Sequence, residues 1–235
     1  MALRAAAKGR GPSRLEWLVV VCVVLLIAKC QLAPRSAIDA ATQKLTIREE
    51  TDRVVLAWSG PISEPMRDDI AAALGRFARD PRPLAIALNS PGGSISQGRE
   101  VMAAIREAAR GRPIDTLVEN GSVCASMCVP IYLLGAERMA DPAAHFMFHE
   151  VSIEVAADRR AGQPRAVVDP RYRKILETLA TDAFYENDIG TQRVNARWLM
   201  EMRAKIKDKE IWVSGRQLVE EGSGVVDRLV GTSSN

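Results

Sequence analysis

Two histidines are present in 235 residues, and they stand close together in Ala144-His145-Phe146-Met147-Phe148-His149-Glu150. On a strand of period two both point to the same side. An imidazole titrates near neutrality, so either one is a candidate general base. A candidate nucleophile lies upstream, in Gly121-Ser122-Val123-Cys124-Ala125-Ser126-Met127-Cys128. A hydroxyl inside an apolar run costs stability unless it is bonded. At the start of a helix, Ser126 would instead sit in a cleft with the Met127 amide beside it. Nucleophile and oxyanion donor would then be neighbours in sequence. A third segment, Asn89-Ser90-Pro91-Gly92-Gly93, falls between a buried strand and a helix. Its glycines permit positive φ, and amides at a helix N-terminus suit a developing negative charge. The lysine of a phosphate loop is absent there.

The cysteines raise a second chemistry. Cys124-x3-Cys128 and His145-x3-His149 approach a Cys2His2 zinc pattern. The spacer between the pairs is long and mostly apolar, and AHFMFHE reads as extended rather than helical. A chain of this size also needs no metal to fold. No metal site is therefore expected. One helical turn apart, Cys124 and Cys128 are expected as two buried thiols, with a disulfide as the alternative.

These residues need a scaffold, and the chain supplies an alternation of strands and helices. Apolar runs at Arg53–Trp58, Leu84–Leu88, Ile114–Val118, Phe146–Phe148, Ile211–Val213 and Val225–Leu229 read as strands. Helices are expected from Ser63 to the Asp80-Pro81 break, over Ser96–Ala109, over Tyr172 to about Lys205, and over Gly215–Glu221. Cys124–Leu134 is apolar all round and predicts a buried helix. Residues 151–169 read as an irregular polar loop. The pattern argues for an α/β domain with largely parallel pairing.

The N-terminus differs in kind. Residues 1–35 hold six basic residues and one acid, whereas the remainder is slightly acidic, so the net charge of +3 reflects the first segment. The body offers no basic footprint for nucleic acid. Trp17–Ala28 is an uninterrupted apolar run of 12 residues behind four basic ones, the layout of a secretory signal or anchor. The basic excess predicts a cytoplasmic N-terminus and an exported body. No good cleavage site follows, so an uncleaved anchor is preferred to a cleaved signal. The expected division is a signal or anchor segment at 1–34, a linker at 35–46 and a catalytic domain at 47–235.

Taken in order, RVVLAWSGPI, LNSPGGSISQG, NGSVCASMC, FMFHE and KEIWVSGRQLVEEGSGVVD resemble the Clp protease proteolytic subunit, within the crotonase-like superfamily. The resemblance implies a repeated ββα superhelical fold and a serine peptidase without cofactor or metal. Ser126 would be the nucleophile, His149 the base, and the amides of Gly93 and Met127 the oxyanion hole. The acid falls on Glu210, with Asp208 as the alternative. The family's aspartate is replaced here by a longer side chain. Export removes ATP and an unfoldase partner, so unaided cleavage of peptide or protein substrates is expected, from a possible homo-oligomer held at the membrane by its N-terminal segment. Three rivals stand beside this reading: a Ser–Lys dyad using Lys174, as in signal-peptide peptidases of the same fold; an inactive binding protein; and an acyl-CoA enzyme, which export disfavours.

Overall fold

The computed structural model describes residues 44–152 and 169–231. The anchor segment, most of the linker and the greater part of the 151–169 loop lie outside the described residues. Among the described residues no helix is long and apolar enough to cross a membrane.

The larger of two sheets has the order β1-β2-β3-β4-β6-β9. Its centre is built from β2 (Val54–Ser59), β3 (Leu84–Asn89) and β4 (Ile114–Val118), paired in parallel. These strands are covered on both faces, which is why they read as continuous apolar runs. β1 (Lys44–Glu49) pairs antiparallel with β2 at the edge. It takes in the last three residues assigned to the linker, and the alternation of Leu45 and Ile47 is the signal for it. β6 (Arg138–Ala140) joins β4 on the other side, and the two-residue β9 (Arg228–Leu229) closes the row. The expected strand at Val225–Leu229 is reduced to its last two residues, which pair with Met139 and Ala140.

Two helices follow the first strands. α1 (Met66–Arg76) carries Asp68 and Asp69 in its first turn and Arg76 in its last, matching the helix dipole at both ends. α2 (Ile95–Ala109) buries Gly98, Val101, Met102 and Ile105. Ser94 caps it by accepting from the Gln97 amide at 3.4 Å.

A second sheet has the order β5-β7-β8. β5 (Val123–Ala125) and β7 (His145–Phe148) are parallel, and β8 (Ile211–Ser214) is antiparallel to β7. Cys124, Phe146, Phe148 and Val213 face the main core, while Val123, Ala125 and Met147 form a small cluster on the other side. The helix expected from Cys124 is thus a strand, a turn at Ser126, and the short α3 (Cys128–Tyr132). An unbroken apolar run has no period with which to separate the two.

The long helix expected from Tyr172 to Lys205 is also divided. α4 (Pro170–Phe184) runs into a π-helical turn at Tyr185–Ile189, and α5 (Ala196–Lys205) begins afresh. The Asn195 side chain accepts from the amides of Arg197 and Trp198 and so starts α5. β8 then leads directly into α6 (Gly215–Glu220), where Ser214 and Gln217 form a reciprocal capping box.

Candidate active site

Ser126 occupies the turn that converts β5 into α3, at φ 54°. A left-handed conformation costs a non-glycine residue about 1–2 kcal/mol, so the surroundings must hold it. The Ser126 amide donates to the Met147 carbonyl at 2.9 Å, and its own carbonyl accepts from Val129 at 2.9 Å. A disulfide joins Cys124 to Cys128, with their Cα atoms 5.2 Å apart. The expectation of two free thiols is therefore overturned. It assumed a common helix, whereas the chain reverses between the two residues and brings one strand position against the first residue of α3. The same bond removes both thiolates that a zinc reading required.

The pairing of the small sheet brings the other residues alongside. Ala125 lies opposite Met147, so Ser126 leaves β5 at the end where His149 leaves β7. Phe148 pairs with Ile211 across the antiparallel ladder. One further step in that register sets His149 opposite Glu210. Glu210 also accepts a hydrogen bond from Trp212 Nε1 at 3.3 Å. His145 stands at the far end of β7, opposite Ser214, and takes no part.

His149 is half-buried, and burial lowers its pKa from the ordinary histidine value, with the Glu210 charge acting in the opposite sense. Its carbonyl accepts from the Tyr185 hydroxyl at 3.2 Å, which ties the end of β7 to the π-helical turn. Neither the imidazole nor the Ser126 hydroxyl makes a hydrogen bond among the described residues. A small cleft of about 240 Å3 is lined by His149, Val151, Asp208 and Glu210 among others, but not by Ser126. An apolar groove of about 680 Å3 between α1 and α2 is lined by none of the candidate residues.

Asp208 is engaged elsewhere. Lys174 donates to Asp208 at 2.7 Å and to Glu150 at 2.9 Å. Those bonds raise the lysine pKa well above its usual value, the Asp208 bond contributing most, and lower that of Asp208. A lysine held protonated in this way is a poor proton acceptor.

The glycine turn lies against the serine. A methyl group on Gly92 would stand 2.7 Å from Ser126 Cβ, and one on Gly93 would stand 2.3 Å from the Ile62 carbonyl oxygen. Ile62 bonds the Gly92 carbonyl and the Ser94 amide, leaving the Gly93 amide out of the bridge. Among the described residues neither the Gly93 amide nor the Met127 amide has an acceptor. Two unengaged donors thus flank the Ser126 turn.

Several supporting residues carried no assigned role in the sequence reading. Asn89 Oδ1 accepts from the Val123 amide at 3.1 Å, and the buried Ser90 hydroxyl accepts from Gly92 at 3.2 Å. Together they fix the glycine turn to β5. Gly98 makes room for Met127, whose side-chain atoms would lie within 3.0 Å of an added Cβ. The Asn-Ser pair before Pro-Gly-Gly was the visible signal for the first; nothing in the sequence announces the second.

A model of the Clp protease family matches residues 41–161, just over half of the chain. The chain belongs to the Clp protease family. Among curated Clp relatives, the ATP-dependent Clp protease proteolytic subunit 1 of Chlamydia trachomatis is 25% identical over 184 residues, covering 77% of this chain and 88% of its own. The protein of the same name from Chlamydia muridarum is 27% identical over 184 residues, with the same coverage. A solved ClpP1 mutant from Listeria monocytogenes has a TM-score of 0.55 at 15% identity, covering 76% of this chain and 92% of its own. That likeness carries the fold alone. Membership of the Clp family supports a peptidase, a hydrolase, as the activity of this chain.

Proposed function

We propose that the chain is a serine-type endopeptidase that hydrolyses peptide bonds in protein substrates through an acyl-enzyme. The observation that carries this is the meeting of three strand ends: Ser126 after β5, His149 after β7 and Glu210 before β8, with two unengaged amides beside the serine. His149 takes the Ser126 proton as the hydroxyl attacks the carbonyl, then returns it to the leaving amine. Burial keeps the imidazole neutral and ready to accept. Glu210 holds the ring and stabilises the imidazolium. The Gly93 and Met127 amides receive the oxyanion, where one such donor is typically worth about 10²–10³ in turnover.

We place the domain outside the cytoplasm, anchored by residues 1–34 and working without an ATP-driven partner. The Cys124–Cys128 disulfide supports an oxidising compartment. A Ser–Lys dyad is disfavoured because Lys174 is already bound by two carboxylates. An inactive binding protein is the second reading, favoured by the unbonded Ser126 and His149 side chains. Catalytic hydrogen bonds that tighten only with substrate account for the same observation.

A fluorophosphonate probe separates the two. Labelling of the folded wild type that disappears in Ser126→Ala is expected. A folded wild type that resists the probe, or a Ser126→Ala protein that still reacts, overturns the peptidase reading.

A further inference from the structure

The positions two before and two after a nucleophilic serine are restricted wherever a strand turns sharply into a helix. The reversal brings those two Cα atoms together, and the nucleophile elbow G-x-S-x-G meets the crowding with glycine at both. Here the same two positions are Cys124 and Cys128, in C-x-S-x-C, and they are covalently joined. The bond closes a ring that contains only Ala125, Ser126 and Met127 besides the cysteines. That ring includes the left-handed Ser126 and the residue whose amide stands free beside it.

We propose that the Cys124–Cys128 disulfide is a positioning clasp for catalysis, and that turnover depends on its oxidation. The inference rests on the reading of Ser126 as the nucleophile. The clasp removes the extended and right-handed alternatives at Ser126 that the chain would otherwise prefer. It holds the hydroxyl and the Met127 amide in one frame relative to His149. A displacement of about 1 Å in such a frame can cost about 10²-fold in rate. Forming the bond takes two protons and two electrons from the thiols, and a disulfide-donating oxidoreductase accepts them by thiol–disulfide exchange. The chain would therefore be dormant where it is made and competent where that oxidant acts. Both cysteines are 0% exposed, so thiol–disulfide exchange reaches them only before the fold closes, and native protein keeps whichever state it folded in.

The test compares full-length protein in four states: oxidised wild type, wild type folded and kept under thiol reductant, the same sample unfolded and refolded with oxidised glutathione, and Cys124→Ala/Cys128→Ala. Fluorophosphonate labelling rate and kcat and KM on a peptide substrate are read for each, and a thermal melt reports folding. The oxidised protein is expected to react, with its cysteine-bearing peptide lighter by two hydrogens in mass spectrometry. The reduced protein and the double variant are expected to react about 10²-fold more slowly, with the loss in kcat rather than KM, and reoxidation is expected to restore the wild type. Equal rates in folded oxidised and reduced wild type overturn the clasp and leave the peptidase reading standing. So do free thiols in the fully active protein. A folded oxidised wild type that never reacts overturns the peptidase reading and the clasp with it. If the double variant fails to fold, the reduced and reoxidised wild-type samples decide.

Discussion

At the scale of single residues, His149 carries opposing influences whose signs are separable. Burial disfavours the imidazolium and lowers the pKa, while Glu210 favours the charged ring and raises it. The base must be neutral to accept a proton. The acid limb of kcat/KM is therefore expected below the ordinary histidine value of about 6.5. In Glu210→Gln the raising influence is lost, so that limb should move to still lower pH. The plateau should fall at the same time, because the imidazolium formed during attack loses its counter-charge. A pH profile of both proteins checks the pair of shifts; a limb that moves upward in Glu210→Gln contradicts the assignment. Asp208→Asn should leave the limb in place, since that carboxylate serves Lys174. Core residues offer a contrast. The Tyr132 hydroxyl is buried with no hydrogen-bond partner among the described residues. Tyr132→Phe removes an unsatisfied group and should be neutral or stabilising by about 1 kcal/mol in a denaturant titration.

At the scale of elements, the site depends on where strands stop. The glycine turn after β3 has no room for a side chain: Gly93→Ala would force a methyl into the Ile62 carbonyl. The turn must then shift, and its amide with it. A loss of about 10²-fold or more in kcat is expected, measured on protein whose melting curve shows it folded. The same elements show what could be read from sequence. β2, β3, β4 and β7 were legible because they are short apolar runs between clear breaks. β5 was not, because Cys124–Leu134 is apolar throughout and a strand, a turn and a helix share it without punctuation. The division of the expected Tyr172–Lys205 helix was hidden for a related reason: Gly190 and Asn195 are weak signals inside a pattern that is otherwise helical. β6 escaped notice because its first residue is an arginine. The candidate site residues came from ordered motifs, so a misjudged helix did not displace Ser126. The same misjudgement did make Cys124 and Cys128 look like two thiols, since their pairing follows from the reversal and not from their spacing.

At the scale of the whole molecule, the two sheets differ in what secures them. The large sheet is closed on one side by Arg138, 2% exposed, which gives two hydrogen bonds to the Asp227 carboxylate from its guanidinium and one to the Arg193 carbonyl. Removing one partner of such a pair leaves a buried charge uncompensated, at about 3–5 kcal/mol. Asp227→Ala should lower stability by an amount near the bottom of that range, because the carboxylate is itself partly exposed. Urea unfolding measures it, and an unchanged midpoint would count against the role. The small sheet instead meets the site directly, and one of its residues offers a practical handle. Trp212 bonds the carboxylate that faces His149, whereas Trp58 and Trp198 are buried in the core. Its indole is thus a built-in fluorophore beside Glu210. Subtracting the emission of Trp212→Phe from that of the native protein isolates its contribution, giving an optical titration of inhibitor binding that needs no dye and no turnover.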